Sequence, residues 1–322
     1  MTLNSQIIWD PVKDVTSPSF GHNWPRVSLN GNGDPVLIWG NLERVMFSKW
    51  DGTKFSQAIP LNPPGVTVAE AGWMGPEFCT YGDTIYVVYK ESPENQDDKH
   101  VWCVSSFDGG ESWNTPVRVD QTGADKVRFP VVTTDKNGHP IVGMMRSDET
   151  FHDPRWVVSR SDDFGASFSA DTMASGWSGQ RSEVCDCCPG SMDSDGDRVS
   201  IFYRDNLFDL RECWTSISFD GGKAFSKGIN VDGTGWMINS CPSSAIDGVI
   251  IGDSIYSAFM SGASGRAGVY FSRSSISQSD RSVEPIIKGD PDIRSQNYPR
   301  MDHSQNAVGV TWVQYSGDKT LI

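Results

Sequence analysis

The sequence predicts an all-β fold, a six-bladed β-propeller whose blades are four-stranded antiparallel sheets. Three observations carry the prediction. A strand–turn–strand unit recurs six times, a Ser-x-Asp-x-Gly-x-x-aromatic turn follows it in three copies, and no segment shows helical apolar periodicity.

Each unit reads as a proline, a short apolar stretch, a Gly/Asp/Asn turn and an alternating strand. The copies are WPRVSLNGNGDPVLIWG, GPEFCTYGDTIYVVYK, RFPVVTTDKNGHPIVGMM, CCPGSMDSDGDRVSIFYR, CPSSAIDGVIIGDSIYSAFM and YPRMDHSQNAVGVTWVQY. Their anchoring prolines, Pro25, Pro76, Pro130, Pro189, Pro242 and Pro299, stand 51 to 59 residues apart. Short alternating runs bounded by turn formers are strands buried on one face, and their regular recurrence is the pattern of propeller blades.

A third strand follows in each unit and ends, in three of them, on SFDGGESW (106–113), SDDFGASF (161–168) and SFDGGKAF (218–225). The aspartate is expected to accept turn N–H groups, the glycine to take positive φ, and the aromatic to tuck between sheets. SKWDGTKF (48–55) and SRSSISQS (272–279) are decayed copies. These turns are read as structural. The chain ends at DKTLI, the third strand of unit six, while SQIIWDPVKDV near the start resembles the fourth strand that follows each turn. Pairing of the two termini in one blade would close the ring and remove an exposed sheet edge, so residues 1–322 are expected to be one domain.

In such a ring, the loops entering the innermost strands and those joining second to third strands share one channel mouth. The first set comprises residues 22–24, 73–75, 128–129, 185–188, 239–241 and 296–298. The second comprises NLER, KESPENQDDKH, RSDETFHDPR, RDNLFDLR and SGASGR, four of which end in Arg44, Arg155, Arg211 and Arg266 and one in His100. A guanidinium fork matches a carboxylate in bidentate fashion. The rim, with Trp24 in it, is therefore read as the site of a glycan or a small acidic ligand. Pairing of each arginine with a local acid such as Glu43 or Glu212 is the simpler alternative.

The Ser-x-Asp-x-Gly spelling is that of the Asp-box, or BNR repeat. Six blades, Asp-boxes and arginines at the opposite mouth resemble the sialidase superfamily across essentially the whole chain. The resemblance implies three arginines clamping a substrate carboxylate, a Tyr–Glu pair as nucleophile and an aspartate as acid/base. Blade four, with SEVCDCCPG and FYRDN, is similar to the family blade that implies Glu183 as the base and Arg204 as the second arginine. Arg266 would be the third arginine and Tyr298, in QNYPR, the nucleophile. Asn23 stands where the first arginine belongs, and GNLERV offers Glu43 in place of the acid/base aspartate. Blade three supplies Arg128, Arg146, Asp148 and Asp153, with Asp148 the remaining candidate acid. The set is thus incomplete for an exo-sialidase-like glycoside hydrolase. CDCCP followed by YRDN and LRE resembles a bacterial branch of Asp-box proteins, often exported.

The seven cysteines concentrate at Cys185, Cys187 and Cys188, with Cys241 at the equivalent position of the next blade. Three readings stay open. Disulfides suit an exported protein, with Cys188 and Cys241 starting adjacent inner strands and Cys79 and Cys103 sharing a blade. A Cys-x-Cys-Cys turn with Cys241, and Met237 or a histidine, would suit copper or zinc. Reduced structural thiols are the third. The rival function is accordingly a non-enzymatic propeller carrying a soft metal ion or a disulfide staple.

Composition bounds the partners. A formal charge of −14 and no basic run argue against nucleic acid. No apolar run reaches the about 18 residues needed to span a bilayer. The sequence MTLNSQIIWD has neither a basic nor an apolar leader region, so the expectation is either an intracellular protein or, given the cysteines, an exported one whose signal has been removed.

Overall fold

The computed structural model describes residues 11–17, 20–93, 96, 99–121, 123, 125–176, 183–265, 267–277, 281–286, 293–304, 307–317 and 319–322. Six antiparallel sheets follow one another along the chain. Blade one holds β1 (His22–Leu29), β2 (Pro35–Asn41), β3 (Val45–Lys49) and β4 (Ile59–Pro60). Blade two holds β5 (Glu77–Tyr81), β6 (Thr84–Lys90), β7 (Val101–Ser106) and β8 (Val117–Arg118). Blade three holds β9 (Lys126–Thr134), β10 (Pro140–Ser147), β11 (Arg155–Arg160) and β12 (Thr172–Met173). Blade four is β13 (Ser191–Asp195), β14 (Arg198–Arg204), β15 (Cys213–Ser218) and β16 (Ile229–Asn230). Blade five is β17 (Asp247–Ile251), β18 (Ser254–Ser261), β19 (Gly268–Ser275) and β20 (Arg281–Pro285). Blade six is β21 (Ile293–Ser304), β22 (Ala307–Ser316) and β23 (Lys319–Leu321). Every sheet runs in sequence order, each strand beside the next. The predicted six-bladed propeller is therefore the observed one.

The core lies between the blades. A strand points alternate residues to opposite faces, and the middle strands are apolar on both. Ile201 of β14 packs toward blade three with Ile141 and Val158, whereas Phe202 packs toward blade five with Ile250, Ile255 and Phe259. Val36 and Ile38 meet Ile85 and Val87 in the same way between blades one and two. A layer sandwiched on both sides explains why these strands read as continuous apolar runs.

The three Ser-x-Asp-x-Gly turns repeat one hydrogen-bond scheme. In blade four, Ser218 Oγ donates to Asp220 at 2.7 Å and accepts from Gly222 N at 2.8 Å, while Ala224 N donates to Asp220 at 3.0 Å. Ser106, Asp108, Gly110 and Ser112 reproduce it in blade two, and Ser161, Asp163, Gly165 and Ser167 in blade three. The glycine at the fifth position has φ of 84°, 86° and 83° in turn, the left-handed region that a Cβ disfavours.

Ring closure is visible on the inside. Arg300 of blade six reaches Glu77 of blade two at 3.4 Å and lies 4.6 Å from the ring centroid of Trp24 of blade one. The expected outer closure falls largely on residues 1–10, outside the described residues, and 11–17 form no strand. Blade six thus has three strands among the described residues.

Candidate functional site

Three inner strands enter the channel through the same kink. Trp24, Phe129 and Tyr298 each precede a proline and each takes positive φ, at 53°, 50° and 55°. The pairing register slips beside each: between Asn23 and Arg26, opposite Gly143–Met145, and between Asn297 and Arg300. Such bulges re-aim side chains at a strand's end, and left-handed non-glycine residues cluster where the surroundings hold them in place. Trp24 is only 6% exposed, with the guanidiniums of Arg26 and Arg300 4.0 and 4.6 Å from its ring centroid. Its Nε1 donates to Glu77, which also accepts Arg26 Nε and Nη2 at 2.8 and 2.7 Å. Gly75 allows this packing, because a Cβ there would lie 2.8 Å from the indole.

The Tyr298 side chain is half-buried, and burial raises its pKa, so the phenol is neutral. Among the described residues its hydroxyl has no hydrogen-bond partner. Glu183 is nine-tenths buried on blade four, where the Val184–Asp205 bridge continues the β13–β14 ladder. Asp205 beside it is 6% exposed; burial first, then the charge of Glu183, pushes its carboxyl well up. Asp205 Oδ1 is buried without a partner. Burial thus keeps the Asp205 carboxyl protonated.

The cysteine turn is built next to that pair. Cys185 N donates to Arg204 O at 2.9 Å and Cys188 N to Cys185 O at 3.5 Å, folding residues 185–188 into one tight turn. Its sulfurs converge: Cys185 Sγ lies 3.5 Å from Cys187 Sγ and 3.4 Å from Cys188 Sγ, with 4.0 Å between the latter two. Cys187 forms a disulfide with Cys241 of the next blade. The sequence expectation placed Cys188 there. The turn buries Cys188 completely and leaves Cys187 facing exposed Cys241. Cys79 and Cys103 are free thiols, since β6 lies between their strands β5 and β7.

Two arginines back the sulfurs. Arg204 is completely buried and donates to the carbonyls of Arg211 at 2.7 Å and Met260 at 2.8 Å. Arg211, 7% exposed, donates to Cys185 Sγ at 3.1 Å, and its closest carboxylate among the described residues is Asp209 at 3.8 Å. The hydrogen bond with Cys188, helped by the charges of Arg211 and Arg204, brings Cys185 down to about 6 against its burial. Burial pushes Cys188 up. The site is a thiolate–thiol pair beside a disulfide.

The remaining rim residues are dispersed. Asp148 caps its own loop, accepting Thr150 N, Thr150 Oγ1 and His152 N, which holds its carboxyl down to about 2. Arg155 pairs with Asp153 at 2.7 Å, and both line a cleft of about 370 Å³ with Asp125, Arg146, Asp148 and Asp171. Asn23 donates to Glu70 at 2.6 Å, and His100 faces Asp120. Arg44 is exposed and has no side-chain partner among the described residues. Arg266 lies outside them. The sequence reading missed Arg26, Arg300, Glu77 and Asp205. The repeated aromatic-Pro-Arg of WPR and YPR was the available signal for the first two, and the Asp of YRDN for the last.

Known structures share this architecture. A Hadza microbial sialidase superposes with TM-score 0.61 at 12% identity, over 93% of this chain and 64% of that one. The NanB sialidase of Streptococcus pneumoniae gives 0.60 at 10% identity, over 97% and 67%. The α-L-arabinofuranosidase Arb93A of Fusarium graminearum gives 0.59 at 11% identity, over 94% and 90%. The shared feature is the fold. This chain spans under two thirds of the Hadza enzyme's length. No family model and no curated protein sequence matches it. No helix among the described residues is long and apolar enough to cross a membrane.

Proposed function

We propose that this chain is a glycan-binding propeller of the Asp-box type with glycoside-hydrolase chemistry at the mouth of blades four and six. The observation that carries the reading is the carboxyl pair of blade four. A buried carboxyl kept protonated beside a second carboxyl is the arrangement of a general acid with its partner. Asp205, held protonated, is the donor to a leaving-group oxygen, and Glu183 is the second carboxyl beside it. Tyr298, a half-buried phenol with a free hydroxyl on a strained aromatic-Pro kink, is the nucleophile candidate. The pair Tyr298–Glu183 would act as in tyrosine-dependent glycosidases. Arg44, which has no side-chain partner among the described residues, offers a fork to an acidic guest from blade one, and Arg155 a second from blade three. Arg204 and Arg211, turned toward carbonyls and sulfur, contribute by holding blade four rather than by clamping a carboxylate from solution.

The fold shared with sialidases and an arabinofuranosidase names the substrates to try. Fluorogenic sialosides and α-L-arabinofuranosides should be incubated with wild type, Tyr298→Phe and Asp205→Asn. Turnover of one class, lowered at least 100-fold by each substitution, is expected. Absence of both turnover and saturable glycan binding by wild type removes the reading.

A further inference from the structure

We propose that the blade-four turn, when reduced, binds a thiophilic d10 cation, Cu(I) or Zn(II), through Cys185, Cys187 and Cys188 completed by Cys241, and that the Cys187–Cys241 disulfide is its redox gate. Three observations support it independently of any glycan chemistry.

The first is spacing. A tetrahedral thiolate site with metal–sulfur bonds of about 2.3 Å has sulfurs about 3.8 Å apart. The three turn sulfurs form a triangle with edges of 3.5, 3.4 and 4.0 Å. They need shifts of a few tenths of an ångström, which side-chain torsions supply.

Charge is the second. Burying a cation is expensive unless an anion answers it. Arg204 is fully buried with no carboxylate at ion-pairing distance among the described residues, and its Nε has no acceptor. Arg211 sets its guanidinium against Cys185 sulfur. Asp232, whose carboxylate accepts Cys213 N, answers part of this charge from behind. Three thiolates around a monovalent ion, or four around a divalent one, carry two net negative charges, which two guanidiniums match.

The third is hardness and access. The cluster contains sulfur alone, a donor set that selects soft ions over Mg²⁺ or Ca²⁺. Cys185 and Cys188 are inaccessible to water, whereas Cys241 is exposed, so an ion enters from the Cys241 side.

The gate follows from electron counting. With Cys187 and Cys241 joined, two free sulfurs remain, Cys185 and Cys188. Opening the bond takes two electrons and two protons from an external dithiol, which becomes a disulfide. The ion then displaces the thiol protons to water.

The full chain should be tested anaerobically in reduced form and, separately, with the disulfide intact. Cu(I) is measured by competition with bathocuproine disulfonate and Zn(II) with a chromogenic zinc chelator, with stoichiometry by native mass spectrometry. Reduced wild type is expected to take one ion, with affinity at least 100-fold above the oxidised form. Cys241→Ser should bind without reductant, and Cys185→Ser at least 100-fold more weakly, while Cys79→Ser, outside the cluster, matches wild type. Circular dichroism verifies folding of each variant, and Cys188→Ser replaces Cys185→Ser if the latter is unfolded. Reduced wild type without stoichiometric metal, or a Cys185→Ser or Cys188→Ser variant that binds like wild type, overturns the site. Equal affinity in both redox states overturns the gate. Glycoside turnover, assayed with the disulfide intact, fails or succeeds separately.

Discussion

Arg211 and Cys188 act on one sulfur from two sides. Cys188 Sγ lies 3.4 Å from Cys185 Sγ and Arg211 donates to it at 3.1 Å, and this sulfur sits in a buried site. A thiol lowered to about 6 is ionised at neutral pH, where free cysteine, at about 8.5, is mostly protonated. The ultraviolet thiolate absorbance of the disulfide-intact protein should therefore titrate with one midpoint near 6. Cys185→Ser should abolish it. Cys188→Ala should raise it more than Arg211→Met does, since the thiol hydrogen bond is the larger influence. A midpoint unmoved by either change would mean that neither group sets the acidity.

At the scale of the strand and turn, sequence and structure agree where a residue's role is local. Ser218 satisfies Gly222 N and orients Asp220 within one turn, so the pattern can be read without knowing the neighbours. Ser218→Ala leaves a buried N–H without its acceptor, a cost of about 1–3 kcal/mol. Differential scanning calorimetry should show a melting temperature lower by several degrees with unchanged secondary structure. Gly190 is less forgiving. An added Cβ would stand 2.4 Å from Phe202 O and 2.8 Å from Trp156, immediately before β13 and next to the cysteine turn. Gly190→Ala is expected to express as insoluble or unfolded protein, whereas Gly196→Ser, in open space at positive φ, should cost about 1 kcal/mol. What stayed illegible was orientation across blades. Nothing local in FYRDN says that Arg204 turns into the interior, because its acceptors, Arg211 O and Met260 O, belong to a loop and to the next blade. Cys187 rather than Cys188 meets Cys241 for the same reason. That choice depends on which way a four-residue turn rolls, which sequence spacing leaves open.

The whole ring is held on its inner face by a charged network, and this has a consequence for pH. Asp247 on β17 accepts Met301 N at 3.0 Å and faces Arg300 at 3.6 Å, and Arg300 continues to Glu77 and Arg26 across the channel. Burial pushes Asp247 up to about 7, and on β13 it pushes Asp193, 3.9 Å from His303, up to about 6. An unfolded aspartate titrates near 3.9. These two carboxyls therefore hold protons in the folded ring that the unfolded chain has released. Their contribution to stability is full below about pH 4 and is lost as pH rises through the folded values. The self-repulsion of a chain with formal charge −14 acts in the same direction. The aspartates of the turns and loops work oppositely: Asp51, Asp108 and Asp148, lowered to about 2 by turn hydrogen bonds, lose their contribution only as pH falls from about 4 toward 2. Maximum stability is thus expected near pH 4–5, with the melting temperature falling from there to pH 7. Asp247→Asn, which keeps one acceptor oxygen and cannot ionise, should flatten that descent, and thermal melts at half-unit pH steps measure it. Parallel curves for the two proteins would show that this carboxyl does not change its protonation on folding in that range.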